Sequence, residues 1–483
     1  MHRTGLSQGL QQANKYRERF STARHHLGIY RCVGNTARYS TSHNIEDLSS
    51  SIGAAVAKVL FNHSALCCGI INEDKNDPAF IRLETIDISK RIEYQEIEAN
   101  TAEDHDRRLI EVLEAKHSEL WPDPKTLPPW KLIIIQSKAL STEGPGFDAV
   151  FAFHHALGDG LSGVAFHRSF LQALNNSSDD TLASPFVKVP ESITLPPAME
   201  KSIDFKISWW FLLTQLWNEM RPRWLFPDAL PPWTASPCSA ANIQNYKSRM
   251  KIFTIEPNLV VKILAACRTE KATVTGLLHG LIVTSLASHV PEASSFASGT
   301  PFSLRHLSRL SVNAMGVQVS GHTSKYTTET LSRIRSSTSP EQVTNDIWTI
   351  AREFRASMNA ELAALPNDNL VGLIPYISNL HKMFESKIGK PREETYELSN
   401  VGVLKNESIE GRWRIERDVF SQSGMGTGAP VAFNVASVGG GPMSISVTWL
   451  QGDIEERLVD GLVKDVEFGL RCMGEGKEVF LEF

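Results

Sequence analysis

"FAFHHALGDGLSG", residues 151–163, decides how the rest of the chain is read. An apolar run ends in two adjacent histidines, and Asp159 follows between two glycines, Gly158 and Gly160. The segment 147–153 predicts a buried strand, while 161–174 has helical apolar spacing at Val164, Phe166, Phe170, Leu171 and Leu174. The motif therefore spans a strand end, a glycine turn and a helix start. Successive strand residues point to opposite faces, so His154 and His155 are expected to diverge, one toward chemistry and one into scaffold. A neutral imidazole, whose ordinary pKa is about 6.5, is the usual group for taking a proton from a hydroxyl that attacks a carbonyl. Asp159 is expected to fix the turn, through backbone N–H groups or an arginine, with the glycines permitting close packing. "RHHLG" at 24–28 has the same pair without a following Asp-Gly, and reads as structural.

At 483 residues the chain predicts two domains rather than one core. Apolar residues at 42% and charged residues at 21% describe a soluble globular protein, and a net charge of −5 supplies no basic field to gather nucleic acid. Six cysteines without a Cys-x-x-Cys spacing offer no zinc site and fit a reducing compartment. The opening "MHRTGLSQGLQQANKYRERF" lacks the apolar core of a signal peptide, so a cytoplasmic location is expected, with the sequons at Asn62, Asn175, Asn176 and Asn406 unglycosylated. The apolar stretch "ISWWFLLTQLW" at 207–217 is shorter than the roughly 20 residues of a membrane span. Packing onto the domain junction is the expectation for it, with an amphipathic lid or weak peripheral lipid contact as the alternative.

Outward from the motif, a helix is predicted over 45–61, capped by Ser42 or Asn44. The runs 65–71 and 130–136 read as short buried strands, with a charged helix over 99–120 between them. A polar loop from Asn175 and Pro- and Trp-rich sequence to about 240 divide the chain into 1–180, a connection at 181–245, and 246–483. The last segment predicts a strand at 248–255, helices from Pro257 to 268 and over 273–289, and a half-buried strand in which Met443, Ile445, Val447 and Trp449 alternate with Ser444, Ser446 and Thr448. Strands and helices mix without regular alternation, which favours an α+β fold. "GMGTG" at 424–428 precedes a proline rather than a helix, so it is no phosphate cradle. His154, His155 and His167 are not read as a metal site, His279 reads as a core residue, and no Gly-x-Ser-x-Gly elbow occurs.

"HHALGDG" at 154–160 matches the signature His-His-x-x-x-Asp-Gly. With "RERFSTARHHLGIY" at 17–30, "LSNVGVL" at 398–404 and "FSQSGMGTGAPVAFNVASVGGGPMSISVTW" at 420–449, the chain resembles the alcohol acetyltransferases, known mainly from fungi. These belong with the chloramphenicol-acetyltransferase-like acyltransferases and the condensation domains of peptide synthetases. The resemblance implies two chloramphenicol-acetyltransferase-like α/β sandwich domains forming a V, with a tunnel between them admitting acyl-CoA from one face and an alcohol from the other. It implies His155 as general base and Asp159 as a structural residue paired with an arginine, for which Arg305 and Arg24 are the candidates. It places Asn400 on the tunnel wall, and Ser421 and Gln422 near carbonyl or cofactor. The Asp-Phe-Gly-Trp-Gly motif of the plant relatives is absent, so their cofactor contacts do not transfer. The implied activity is acetyl transfer from acetyl-CoA, a co-substrate rather than a resident cofactor, to an alcohol of secondary metabolism by a monomer. Amide formation, or a non-catalytic ligand-binding homologue, is the alternative.

Overall fold

The apolar runs on either side of residue 140 become adjacent antiparallel strands, Trp130–Gln136 and Gly146–Phe153, because residues buried on both faces need neighbours on both edges. They sit in a five-stranded sheet ordered Trp413–Gln422, Val33–Thr41, Gly146–Phe153, Trp130–Gln136, Ile92–Glu96, in which only the last pair is parallel. A six-stranded sheet is ordered Ser248–Ile255, Met443–Leu450, Val431–Val438, Tyr396–Leu404, Phe296–Ser303, Val319–Tyr326, with Tyr396–Leu404 parallel to both neighbours. Helices Leu48–Asn62 and Gly160–Asn175 pack with the first sheet in one apolar core. Helices Pro257–Thr269, Val274–His289, Pro340–Ala364 and Glu456–Glu475 build a second core against the other sheet. The computed structural model describes residues 11–13, 16–43, 47–140, 146–176, 184–221, 225, 231–406 and 412–479. The architecture is mixed α+β with two mixed sheets.

Four local expectations are corrected. The helix predicted over 45–61 begins at Leu48 and is capped by Asp47, whose carboxylate accepts from Ser50 N at 2.9 Å; Ser42 lies upstream of the cap, and Asn44 falls outside the described residues. The run 65–71 opens as a short 3₁₀ turn, Ser64–Cys67, before the strand Cys68–Ile71. Met443–Leu450 is buried on both faces rather than one. Its polar side meets protein, not water: Ser446 Oγ donates to Phe420 O at 2.7 Å, and Asn434 Nδ2 donates to Ser446 Oγ and Thr448 Oγ1.

The stretch expected to pack onto the domain junction instead forms the helix Trp209–Met220, with Trp209 and Trp210 80% and 81% exposed. Leu213, Leu216, Trp217 and Met220 are exposed as well, and at 100° per residue all six fall on one face of the helix, turned away from Gln215. Ser208 ties its start to the protein, donating to the Asp368 carboxylate from both N and Oγ. Among the described residues no helix is long and apolar enough to cross a membrane.

The chain crosses between halves late in the sequence. Trp413–Gln422, from the segment 246–483, pairs antiparallel with Val33–Thr41 and completes the first sheet. It also carries Phe420 and Gln422 to the wall of a cavity of about 480 Å³ lined by residues of both sheets.

Candidate active site

His154 and His155 do diverge, but not through strand pleating. The strand stops at Phe153. Just past the ladder, His154 N donates to Pro129 O at 2.9 Å, and Leu157 N closes a turn onto His154 O. His155 is carried outward on that turn, partly exposed, to the cavity wall, its ring centroid 5.5 Å from that of Tyr30. His154 is fully buried. Its Nδ1 accepts from Ala156 N at 2.9 Å, and its Nε2 faces Glu73 Oε1 at 2.8 Å. Burial holds its pKa below the ordinary histidine value, with the neighbouring His25 adding to that effect.

Asp159 caps helix Gly160–Asn175. Its Oδ1 accepts from Ser162 N, while Ser162 Oγ accepts from Asp159 N, a reciprocal capping box. Arg305 grips the same carboxylate with Nη1 at 2.7 Å from Oδ2 and Nη2 at 2.9 Å from Oδ1, and Gln318 N adds a third donor at 3.0 Å. Burial by itself would raise this carboxyl, but the Arg305 charge and these donors leave it below the ordinary range. Arg24, the other candidate partner, lies elsewhere: its guanidinium carbon is 4.4 Å from the Tyr30 ring centroid and 4.8 Å from that of Phe20. The flanking glycines serve close approach rather than unusual dihedrals, since neither has positive φ. A Cβ on Gly158 would sit 2.4 Å from Ser162 Cβ, and one on Gly160 would sit 2.6 Å from Val401 Cγ1.

Asn400 and Gln422 both reach the cavity wall. Their amides are already committed. Asn400 Nδ2 donates to Thr275 Oγ1 and its Oδ1 accepts from Gly402 N, which holds the irregularity between Asn400 and Val403 in the strand pairing. Gln422 accepts from Tyr30 Oη at 2.8 Å and donates at 2.7 Å to both Glu397 Oε1 and Asn434 Oδ1. Ser421, one residue earlier on the strand, is turned to the opposite face, as pleating requires, and its Oγ bonds His117 Nε2 at 2.8 Å. It does not line the cavity, and its assignment near carbonyl or cofactor is corrected.

The pair at 24–28, read as structural, adjoins the motif. His25 Nδ1 lies 3.0 Å from Glu73 Oε2, so one carboxylate spans His25 and His154, whose rings meet edge to face at 4.4 Å. Trp121 N donates to His25 Nε2 and Ala156 N to His154 Nδ1, so both of those nitrogens are acceptors and the protons sit on the nitrogens facing Glu73. Although burial opposes it, hydrogen bonds from the two histidines hold the Glu73 carboxyl well below its ordinary range. The ligand atoms of these three residues lie within 4.8 Å of one another. The set still does not suit a metal ion, because each facing nitrogen carries a proton and its partner nitrogen is already an acceptor. His167 and His279 are satisfied elsewhere, on Asn35 O and Tyr39 Oη, and on Tyr396 Oη and Thr300 Oγ1.

Sequence reading missed Glu73, Glu397 and Tyr30 as parts of the site. Tyr30 stood inside a quoted stretch and was legible there. Glu73, in the polar run "NEDKND", carries no local signal; only its position 81 residues before His154 in the chain, and beside it in space, gives it a role.

A family model described as alcohol acetyltransferase matches residues 16–464. The chain is 30% identical over 471 residues to a probable alcohol acetyltransferase of Fusarium pseudograminearum, covering 94% of this chain and 93% of that one. It is 29% identical over 475 residues to a probable alcohol acetyltransferase of Aspergillus fumigatus, covering 94% and 97%. Among solved structures, a trichothecene 15-O-acetyltransferase from Fusarium sporotrichioides superposes with a TM-score of 0.72 at 14% identity, covering 98% and 97% of the two chains. The epimerization domain from the third module of tyrocidine synthetase B superposes with a TM-score of 0.59 at 14% identity, covering 97% and 98%. The two structural likenesses speak to fold alone.

Proposed function

This chain belongs to the alcohol acetyltransferase family, and we propose that it moves an acetyl group from acetyl-CoA to an alcohol in one ternary complex, with His155 as general base. In this reading His155 takes the hydroxyl proton as the oxygen attacks the thioester carbonyl. Hydrogen-bond donors steady the tetrahedral oxyanion, and the same imidazole returns the proton to the departing CoA sulfur. One observation carries the reading: of the two motif histidines, His155 alone lines the cavity shared by both sheets, while His154 has both ring nitrogens engaged. Asp159 serves as a structural residue in this reading, its carboxylate already engaged by Ser162, Arg305 and Gln318. Tyr30 and Gln422 supply the polar wall beside the imidazole.

The experiment is thiol release from acetyl-CoA with a panel of alcohols and matched amines, with the product identified by mass. Ester formation supports the reading. Amide formation alone would assign the site to nitrogen acceptors, and no release with any acceptor would make the chain a binding homologue.

A further inference from the structure

The cavity behind His155 has an acidic end that acetyl transfer itself does not require. Glu394 and Glu397 both face it, and a second cavity of about 160 Å³ shares Phe20, Arg24, Tyr30, Glu394 and Met425 with the first. Glu394 therefore stands where the two spaces join. Its carboxylate lies over Gly299, where a Cβ would meet Oε1 at 2.6 Å and Oε2 at 2.7 Å. That strand residue has no side chain in the way.

The neighbouring charges decide what this carboxylate would hold. Glu397 is bridged by Gln422 and feels the Arg24 guanidinium. Glu394 makes no hydrogen bond or ion pair among the described residues. The charged groups acting on it are Glu397 and Glu393 on one side and Lys387 on the other, and Lys387 is itself paired with Glu393 at 3.1 Å. The balance around Glu394 is negative. Burial first, then those two carboxylates, push its carboxyl up to about 8, a sign that the site lacks a compensating cation. Arg24, which lies over the Phe20 and Tyr30 rings, acts on Glu397 and is not among the charges acting on Glu394.

We propose that Glu394 anchors a positively charged nitrogen on the acceptor, so that the alcohol this chain acetylates is an amino alcohol whose hydroxyl is presented to His155. The inference rests on the acetyl-transfer reading for its hydroxyl and on the cavity geometry for its nitrogen. Phe20, Tyr30 and Phe420 line the same cavity and would cover the carbon skeleton.

The test uses a panel of tertiary-amine alcohols, each paired with the alcohol in which a CH replaces the nitrogen, so that shape is kept and charge removed. N,N-Dimethylphenylalaninol and 2-benzyl-3-methylbutan-1-ol form one such pair. Binding to the intact protein is measured by calorimetry, and turnover by thiol release. The amines should bind about tenfold or more tighter than their carbon counterparts, the scale of one charge-assisted hydrogen bond. Glu394→Gln should erase that preference, bringing the affinity of each amine to that of its carbon counterpart. Gly299→Ala, which displaces the carboxylate without removing it, should reduce the preference in part. Equal binding of both members throughout the panel, or a preference that survives Glu394→Gln, overturns the proposal. Neutral alcohols acetylated without any amine preference would sink this inference and leave acetyl transfer standing. An amine preference in binding without thiol release would do the reverse.

Discussion

His25–His26 and His154–His155 are the same dipeptide on two different elements, and each sends one ring to the same carboxylate. On the helix Tyr16–His26, neighbouring side chains are about 100° apart, so His25 turns inward to Glu73 and His26 outward beside His381, ring centroids 5.4 Å apart. At the strand end, the hydrogen bond to Pro129 O holds His154 inward and the turn carries His155 to the cavity. Two buried rings and the Glu73 carboxylate thus form a clamp behind one partly exposed ring. The difference in chemical prospects between the pairs comes from what each outward ring faces: the surface for His26, a cavity for His155.

The largest expected effect separates those two outward rings. His155→Ala should lower kcat by on the order of 10²–10⁴ with little change in acetyl-CoA affinity, measured by steady-state thiol release on purified, folded protein. Full activity in that variant would falsify the general-base assignment. Asp159→Asn tests whether the turn that carries His155 depends on the ion pair with Arg305. Breaking a buried pair costs about 3–5 kcal/mol, so denaturant unfolding should show a large loss of stability, and an unchanged midpoint would remove the structural role.

Glu73→Gln addresses the clamp. A glutamine side chain offers one acceptor oxygen to two N–H donors, so one buried histidine is left unsatisfied at a cost of about 1–3 kcal/mol. The loss should appear in thermal melting, and His25→Ala and His154→Ala should each overlap with it rather than add to it. A larger kcat loss in well-folded His154→Ala than in His155→Ala would reverse the roles of the two rings.

The clamp also has a pH signature. Burial keeps His154 neutral in the folded protein, whereas an unfolded histidine titrates at about 6.5, so the unfolded chain takes up the proton first as pH falls. His63 and His167, held down to about 4 by burial, act in the same direction. The buried carboxyls of Glu394 and Asp418, raised to about 8, act against them, so the readout is the difference between variants: His154→Gln should reduce the stability lost, relative to the parent, as pH drops from about 7 to 5, and a pH profile parallel to the parent's would contradict it. The smallest effect belongs to His26→Ala, which should change stability by less than about 0.5 kcal/mol and turnover not at all.

Most of what the motif does locally was legible. A strand ending in His-His, a cap at Asp159 and a helix from Gly160 follow from apolar runs, capping chemistry and glycine placement within a dozen residues. The divergence of the two histidines was also expected, though the operative geometry is the turn after Phe153 rather than the pleat. Pleating did decide Ser421 against Gln422, and there the chain order alone did not say which residue faces inward.

The sequence by itself determined most of the elements and the α+β class, because periodicity, caps and turns act over a few residues; the choice of His155 as candidate base came from the family resemblance. Tertiary structure decided the partners. Arg305 lies 146 residues from the carboxylate it grips, and Glu73 lies 48 and 81 residues from the two rings it joins. The alternation of Met443–Leu450 illustrates the limit: serines and threonine on one face imply water, yet that face meets the strand Trp413–Gln422, which crosses to the other sheet. Local pattern reports whether a face can tolerate polar groups. Whether water or another strand satisfies them depends on contacts made after the chain has returned on itself.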